Sequence, residues 1–325
     1  MEKIPDSSKL DTVIDQTQKI KFGEKLAFGL GSAAGSVVWA SVSTFLLFFF
    51  TDIARIPLVA AGVILMAARI FDGFVDVGVG LLVDRTNTRF GKARPWILWM
   101  VVPFSVLTVM LFTVPNFGTG GKIAYAAVVY ILINIVYSSM VVPYTTLNSM
   151  MTQDQYQRSV LNIFNVLMAS GATLIISSCT LGFINVLGGG ASGWHNVFIV
   201  YAVIAMILYL TTFAFTKERV KPADVKKENQ KVPVGAAMKA LFQNKYLWLL
   251  VVVFIIGNIS INIIQSVSIY YAKYVLGDEN MLSILMVALL LSLLIGLIFV
   301  APFIKKFGKR NCALVGSIVV IVTSV

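Results

Sequence analysis

The sequence predicts an all-α integral membrane protein: six complete spans in an N-terminal bundle, then about three spans of a second bundle. Three observations predict it. Apolar residues make up 58% of the chain and charged residues 13%, and the mean hydropathy is +0.86, far from a soluble domain. The apolar residues come in stretches of roughly 20–25, long enough to cross a bilayer as helices that close their backbone hydrogen bonds internally. The net charge of +11 is gathered in loops between those stretches. That distribution fits the positive-inside rule and gives no sign of nucleic-acid binding.

Residues 1–24 read as a polar cytoplasmic tail with five acids and four lysines. The tail lacks the apolar core of a cleavable signal peptide. Residues 25–216 form the predicted six-span bundle. Span one covers about Lys25 to Phe50. Its early half is rich in small residues, from Gly29, Gly31 and Ser32 to Gly35 and Ser36, which suits close helix contact. Its late half holds Phe45 and Phe48 to Phe50, which suits an interfacial aromatic belt. Span two follows Pro57 and covers about Leu58 to Val83. Spans three to six cover about Trp96 to Val114, Ile123 to Pro143, Val160 to Leu187, and Val197 to Phe215. Residues 217–243 read as a basic central cytoplasmic loop. Residues 244–325 read as an incomplete C-terminal helical bundle, with spans from Tyr246 to Tyr271, from Met281 to Phe303, and from about Cys312 onward.

The loops after spans two, six and eight are basic, and those after spans one, three, five and seven hold few basic residues. The amino terminus is therefore expected in the cytoplasm. Cys179 and Cys312 both fall in apolar segments, with neither disulfide nor metal spacing, and read as small buried hydrophobes. His195 is the single histidine. It follows Gly188-Gly189-Gly190 and reads as a polar loop residue.

Span two carries the unusual chemistry. Arg69, Asp72 and Asp76 lie at membrane depth, and at ~100° per residue they fall within ~60° of one another. Gly62, Gly73 and Gly80 fall on or beside the same stripe, where a neighbouring helix could approach closely. An ionised aspartate near a span centre costs ~2.5–3.5 kcal/mol on insertion scales. Arg69 could simply neutralise the aspartates in a structural network. One arginine against two aspartates, however, leaves one negative charge over, which calls for a proton or a metal cation. Ionisable groups inside a span are functional by default. Asp72 and Asp76 are thus the candidate cation ligands, with Arg69 as their charge partner.

A weak internal repeat adds a second clue. Arg89-Phe90-Gly91-Lys92 follows span two, and Lys306-Phe307-Gly308-Lys309 follows span eight. Repeated halves are a transporter feature. If the second half matched the first, the chain would carry twelve spans, so it reads as truncated.

Several ordered motifs now resemble a known family. Leu46-Leu47-Phe48-Phe49-Phe50-Thr51-Asp52, Ala68-Arg69-Ile70-Phe71-Asp72, Asp76, and Arg89-Phe90-Gly91-Lys92-Ala93-Arg94-Pro95-Trp96-Ile97 resemble the glycoside–pentoside–hexuronide:cation symporters. So do Val142-Pro143-Tyr144-Thr145-Thr146-Leu147, Met151-Thr152-Gln153-Asp154 and Arg158. The resemblance covers about Lys25 to Arg310. It implies a major-facilitator-type fold and sugar uptake driven by Na+ or H+. It also implies that the carboxylates matching Asp72 and Asp76 belong to the cation site. Asp84, Arg85, Arg89, Lys92 and Arg94 form the candidate gating loop.

Three positions depart from the family pattern. Where relatives carry an acid early in span one, this chain offers Ser32 and Ser36. Val141 stands where a span-four acid is expected. Neither Asn165 nor Val166 supplies the span-five arginine. The expected pocket is therefore more neutral, built on Ser32, Ser36, Trp39, Asn134, Tyr137, Tyr144, Asn148, Asn162 and Asn165. Aromatic faces and amides can hold a sugar, although each of these residues alone could equally serve helix packing.

The function so implied is symport of a sugar or glycoside across the plasma membrane by alternating access, in a protein expected to be monomeric. The alternatives are the same fold carrying a non-sugar small molecule, or a non-transporting sensor or scaffold. No nucleophile elbow, metal motif or P-loop points to an enzyme. No cofactor is expected beyond the coupling ion.

Overall fold

The computed structural model describes residues 20–220 continuously, residues 242–249 and 251–257, and short stretches between 275 and 316. The chain divides into two units, one of Met1–Val220 with Leu294–Val325, the other Lys221–Leu293. The predicted central loop begins beside that division. In the second unit, residues 245–249 and 251–257 are helical, within predicted span seven. Most of predicted spans seven to nine lies outside the described residues.

Six helices of the first unit are long and apolar enough to cross a membrane. They are α1 (Phe22–Phe48), α2 (Leu58–Arg85), α3 (Arg94–Leu111), α4 (Thr119–Met151), α5 (Gln155–Val186) and α6 (Gly190–Phe215). A π-helical turn, Phe49–Ile53, continues α1. The only paired extended backbone among the described residues is a bridge between Thr88 and Gly91. All six predicted spans are present.

Neighbours in space follow from which faces carry small residues. Helix α1 lies against α5 and α6, α3 against α4 and α6, and α2 against α4. The glycines of α1 explain its central place. A Cβ at Gly29 would lie 2.9 Å from the Phe164 carbonyl oxygen of α5. One at Gly35 would lie 2.9 Å from the Tyr209 hydroxyl of α6. A side chain at Gly29 would push two backbones apart, and one at Gly35 would displace the Tyr209 ring.

The helix ends differ from expectation where local chemistry outweighs a proline or a glycine run. Helix α4 runs through Pro143 to Met151, eight residues past the predicted end. Pro143 removes the backbone bond to the Ser139 carbonyl, and the contacts of α4 with α2 and α3 carry the helix on past it. Helix α6 starts at Gly190, because Gly188, Gly189 and Gly190 adopt φ of 117°, 63° and 47° and turn the chain sharply after α5. His195 is therefore helical and not in a loop. The Thr113 hydroxyl donates to Val109 at 2.7 Å and lies 2.9 Å from His195 Nδ1, so the imidazole supplies the proton of that second bond.

The aromatic end of α1 is also not a belt. Phe45, Phe49 and Phe50 are buried and Phe48 is exposed. Phe49 packs against Phe112 and Trp194 at 5.1 and 5.5 Å between ring centres. Interlocking rings at this end of the bundle contribute about 0.5–1.5 kcal/mol per pair beyond area burial. Cys179 and Cys312 are free thiols and only partly buried.

Candidate functional site

Helix α2 has one buried seam, made of Ala61, Ile64, Ala68, Val79 and Val83. At ~100° per residue, Asp72 falls within that seam, while Asp76 and Arg69 fall on its flank. The seam faces α4, and there Ser138 Oγ donates to Asp72 Oδ1 at 3.1 Å. Asp72 is half-buried, and Asp76 and Arg69 are exposed among the described residues. Gly62, Gly73 and Gly80 lie to the other side of the flank. No described atom comes within 4 Å of a Cβ built at any of them, so the close approach expected there does not occur among the described residues. The reason is angular, because these glycines sit ~100° away from the seam that meets α4.

Arg69 is placed differently from the expected neutralising partner. Among the described residues, the ion pairs are Lys92–Asp84 and Arg219–Glu24, so Arg69 bonds neither aspartate. Its guanidinium lies over the Trp39 ring, 5.3 Å from the centroid. Trp39 in turn stacks on Tyr137, with centroids 4.5 Å apart and planes 5° from parallel. Asp72 still feels the charges of Arg69 and Asp76, and Tyr137 those of Asp72 and Arg69. The three charged groups and the two rings thus form one cluster across α1, α2 and α4.

The remaining pocket candidates separate into groups. Asn148 Nδ2 donates to Asn162 Oδ1, joining α4 to α5, and Asn148 Oδ1 is buried without a partner among the described residues. Ser32, Ser36 and Asn165 are half-buried on α1 and α5. Asn134 is buried, with its amide donating to the Tyr130 carbonyl at 2.6 Å and its Oδ1 unpartnered among the described residues. Tyr144 is a packing residue. It is 6% exposed, stacks on Phe28 with centroids 4.7 Å apart, and donates its hydroxyl to the Phe28 carbonyl. That leaves neither ring face nor hydroxyl open to a sugar.

The gating-loop residues gather at the end of the bundle where α2 stops and α3 starts. Thr88 and Gly91 exchange backbone hydrogen bonds of 3.2 and 3.1 Å, closing a tight turn. Lys92 pairs with Asp84 at 2.7 Å. Arg85 is exposed, and Arg89 lies over its neighbour Phe90. The anchor of the loop is Glu218, which follows α6. Its carboxylate accepts the backbone N–H of Lys92, Ala93 and Arg94 at 2.8, 2.9 and 2.8 Å. It thereby caps α3 from 124 residues or more away in sequence. Arg94 returns the contact, donating Nη2 to the Phe213 carbonyl of α6 at 2.6 Å.

Sequence reasoning missed three of these features. Ser138 follows the selected Tyr137, but a serine in a membrane helix carries no distinct signal. Glu218 sits between Lys217 and Arg219 and was absorbed into a basic loop. The Trp39–Arg69 contact joins two helices whose pairing no local pattern encodes.

Six long apolar helices, one of them carrying charged side chains at membrane depth, define a class: a multi-pass helical membrane protein. The family described as MFS/sugar transport protein matches residues 27–325. An isoprimeverose transporter of Lactiplantibacillus pentosus is 34% identical over 93% of this chain and 63% of its own length. The uncharacterized symporter YnaJ of Bacillus subtilis (strain 168) is 32% identical over 82% of this chain and 58% of its own. The putative glycoside/cation symporter YagG of Escherichia coli (strain K12) is 31% identical over 79% and 56%. The chain belongs to the MFS/sugar transport family and, within it, to the glycoside–pentoside–hexuronide:cation symporters. It spans 56–63% of the length of these curated relatives.

Proposed function

We propose that this protein works as a cation-coupled symporter of a sugar or glycoside, moving it across the cell membrane by alternating access as a monomer with a cytoplasmic amino terminus. The observation that carries this reading is Asp72 on the α2–α4 seam, accepting a hydrogen bond from Ser138 and unpaired with Arg69 among the described residues. A half-buried carboxylate with a hydroxyl beside it and a second carboxylate one turn on is a fit site for Na+ or H+.

The sugar would meet the edges of the stacked Trp39 and Tyr137 rings, with Ser32, Ser36, Asn134, Asn148, Asn162 and Asn165 as neutral hydrogen-bonding groups. The buried, unpartnered amide oxygens of Asn134 and Asn148 support this assignment, since such atoms call for a donor. The isoprimeverose transporter and the putative glycoside/cation symporter among its relatives point to the same cargo class. Asp84, Arg85, Arg89, Lys92 and Arg94 serve the cytoplasmic gate.

The test is uptake of labelled sugars into membrane vesicles under sodium and proton gradients. Gradient-driven accumulation is expected, and Asp72→Asn or Asp76→Asn should abolish it while leaving expression near normal. Downhill exchange should survive, because the coupling ligand is not the sugar's ligand. Unchanged accumulation in both variants would reduce the carboxylates to a structural role.

A further inference from the structure

We propose that Trp39 is a positioning residue that holds Arg69 off the carboxylates of Asp72 and Asp76 and so sets how readily they take a cation. The inference rests on the cation-site reading above and adds a device to it. Free of other constraints, a guanidinium near two carboxylates forms a bidentate pair with one of them. Here it does not. Its place is over the indole of Trp39, 5.3 Å from the ring centre. The electron-rich ring face attracts a cation, and the attraction grows as water is excluded.

The indole is itself held. Trp39 stacks on Tyr137 at 4.5 Å, Tyr137 stacks on Phe104 at 6.0 Å, and Phe104 meets Tyr209 edge-on at 5.9 Å. Tyr209 fills the space beside Gly35, one turn before Trp39, where a Cβ would come within 2.9 Å of its hydroxyl. The ring that carries Arg69 is thus fixed through α3, α4 and α6, not by α1 alone. The consequence is competitive. Arg69 kept over the ring leaves two negative charges for the coupling ion. Arg69 released onto Asp72 or Asp76 would fill that place with a covalently attached cation.

The test replaces Trp39 with tryptophans of increasing fluorination in the purified protein. Fluorine drains charge from the ring face and barely alters its shape, so a packing role would not respond. Site occupancy is titrated with sodium chloride against choline chloride, or with protons where sodium gives no response. It is read from the infrared carboxyl band that Asp72→Asn removes. The half-saturating cation concentration should rise stepwise along the series, by about three- to thirtyfold in all, the span of a cation–π contact. In an Arg69→Gln background the series should be flat. A flat series with Arg69 present, in a protein whose Asp72 band responds to the cation, overturns the inference alone. A wild-type band that responds to neither sodium nor protons overturns the cation site first and the inference with it.

Discussion

At the scale of single residues, Ser138 and Tyr144 show why hydroxyl groups in a membrane helix are hard to assign from sequence. Ser138 donates to Asp72 across the α2–α4 seam at 3.1 Å, while Tyr144 donates within the packing to Phe28. Ser138→Ala should lower the half-saturating coupling-ion concentration about tenfold, because the hydroxyl that donates to the ionised carboxylate no longer competes with the cation, as measured by ion-dependent uptake. Tyr144→Phe should lower thermal stability by about 1–3 kcal/mol, because the Phe28 carbonyl loses a buried donor, and should leave sugar affinity in titrations unchanged. Asp72 was legible in the sequence because an acid inside an apolar stretch is costly. Ser138 was not, since serine there is cheap and common. Tyr144 was misplaced in the pocket because an aromatic beside Pro143 reads the same whether it packs or binds.

At the scale of elements, spans were legible and their ends were not. A helix in lipid must satisfy its own backbone, so six apolar stretches of sufficient length are six helices. Ends depend on tertiary partners. Helix α3 begins at Arg94 because Glu218 supplies the acceptors for its first N–H groups. Gly91 is required at that junction for two reasons. Its φ is 110°, and a Cβ there would lie 2.4 Å from the Glu218 carboxyl carbon. Gly91→Ala should therefore displace Glu218 and destabilise the bundle by about 1–3 kcal/mol, measured as a lower melting temperature in detergent. The early small residues of α1 were read correctly as contact positions. Those of α2 were not, because a glycine stripe signals permission for close approach and not the presence of a neighbour.

At the scale of the whole molecule, the repeat seen in sequence has an echo in conformation. Gly91 and Gly308, the glycines of the two Phe-Gly-Lys motifs, adopt φ of 110° and 76°. Positive φ at both glycines is a conformation that side chains rarely adopt, so each motif needs its glycine. The proposed pocket holds amides, hydroxyls and rings and, among the described residues, no charged sugar ligand. A site that bonds one hydroxyl tightly rejects analogues lacking it by ~10⁴–10⁵, whereas a mostly apolar one gives ~10–200-fold. Titration of a panel of sugar epimers should accordingly show affinities spread over about a hundredfold or less. One epimer bound thousands of times more tightly than the rest would require a charged ligand that the described residues do not supply.

The exchange between Glu218 and Arg94 has a mechanical meaning. Each helix terminus is held by a side chain belonging to the other, so neither α3 nor α6 can slide along its axis without breaking contacts at both. Four polar bonds in a small area make this corner stiff in shear, whereas α2, among the described residues, touches chiefly α4. Electron-spin labels at Thr88 and Lys217 should report one narrow distance distribution with and without sugar gradient. Glu218→Ala should broaden it, turning a rigid corner into a slack one.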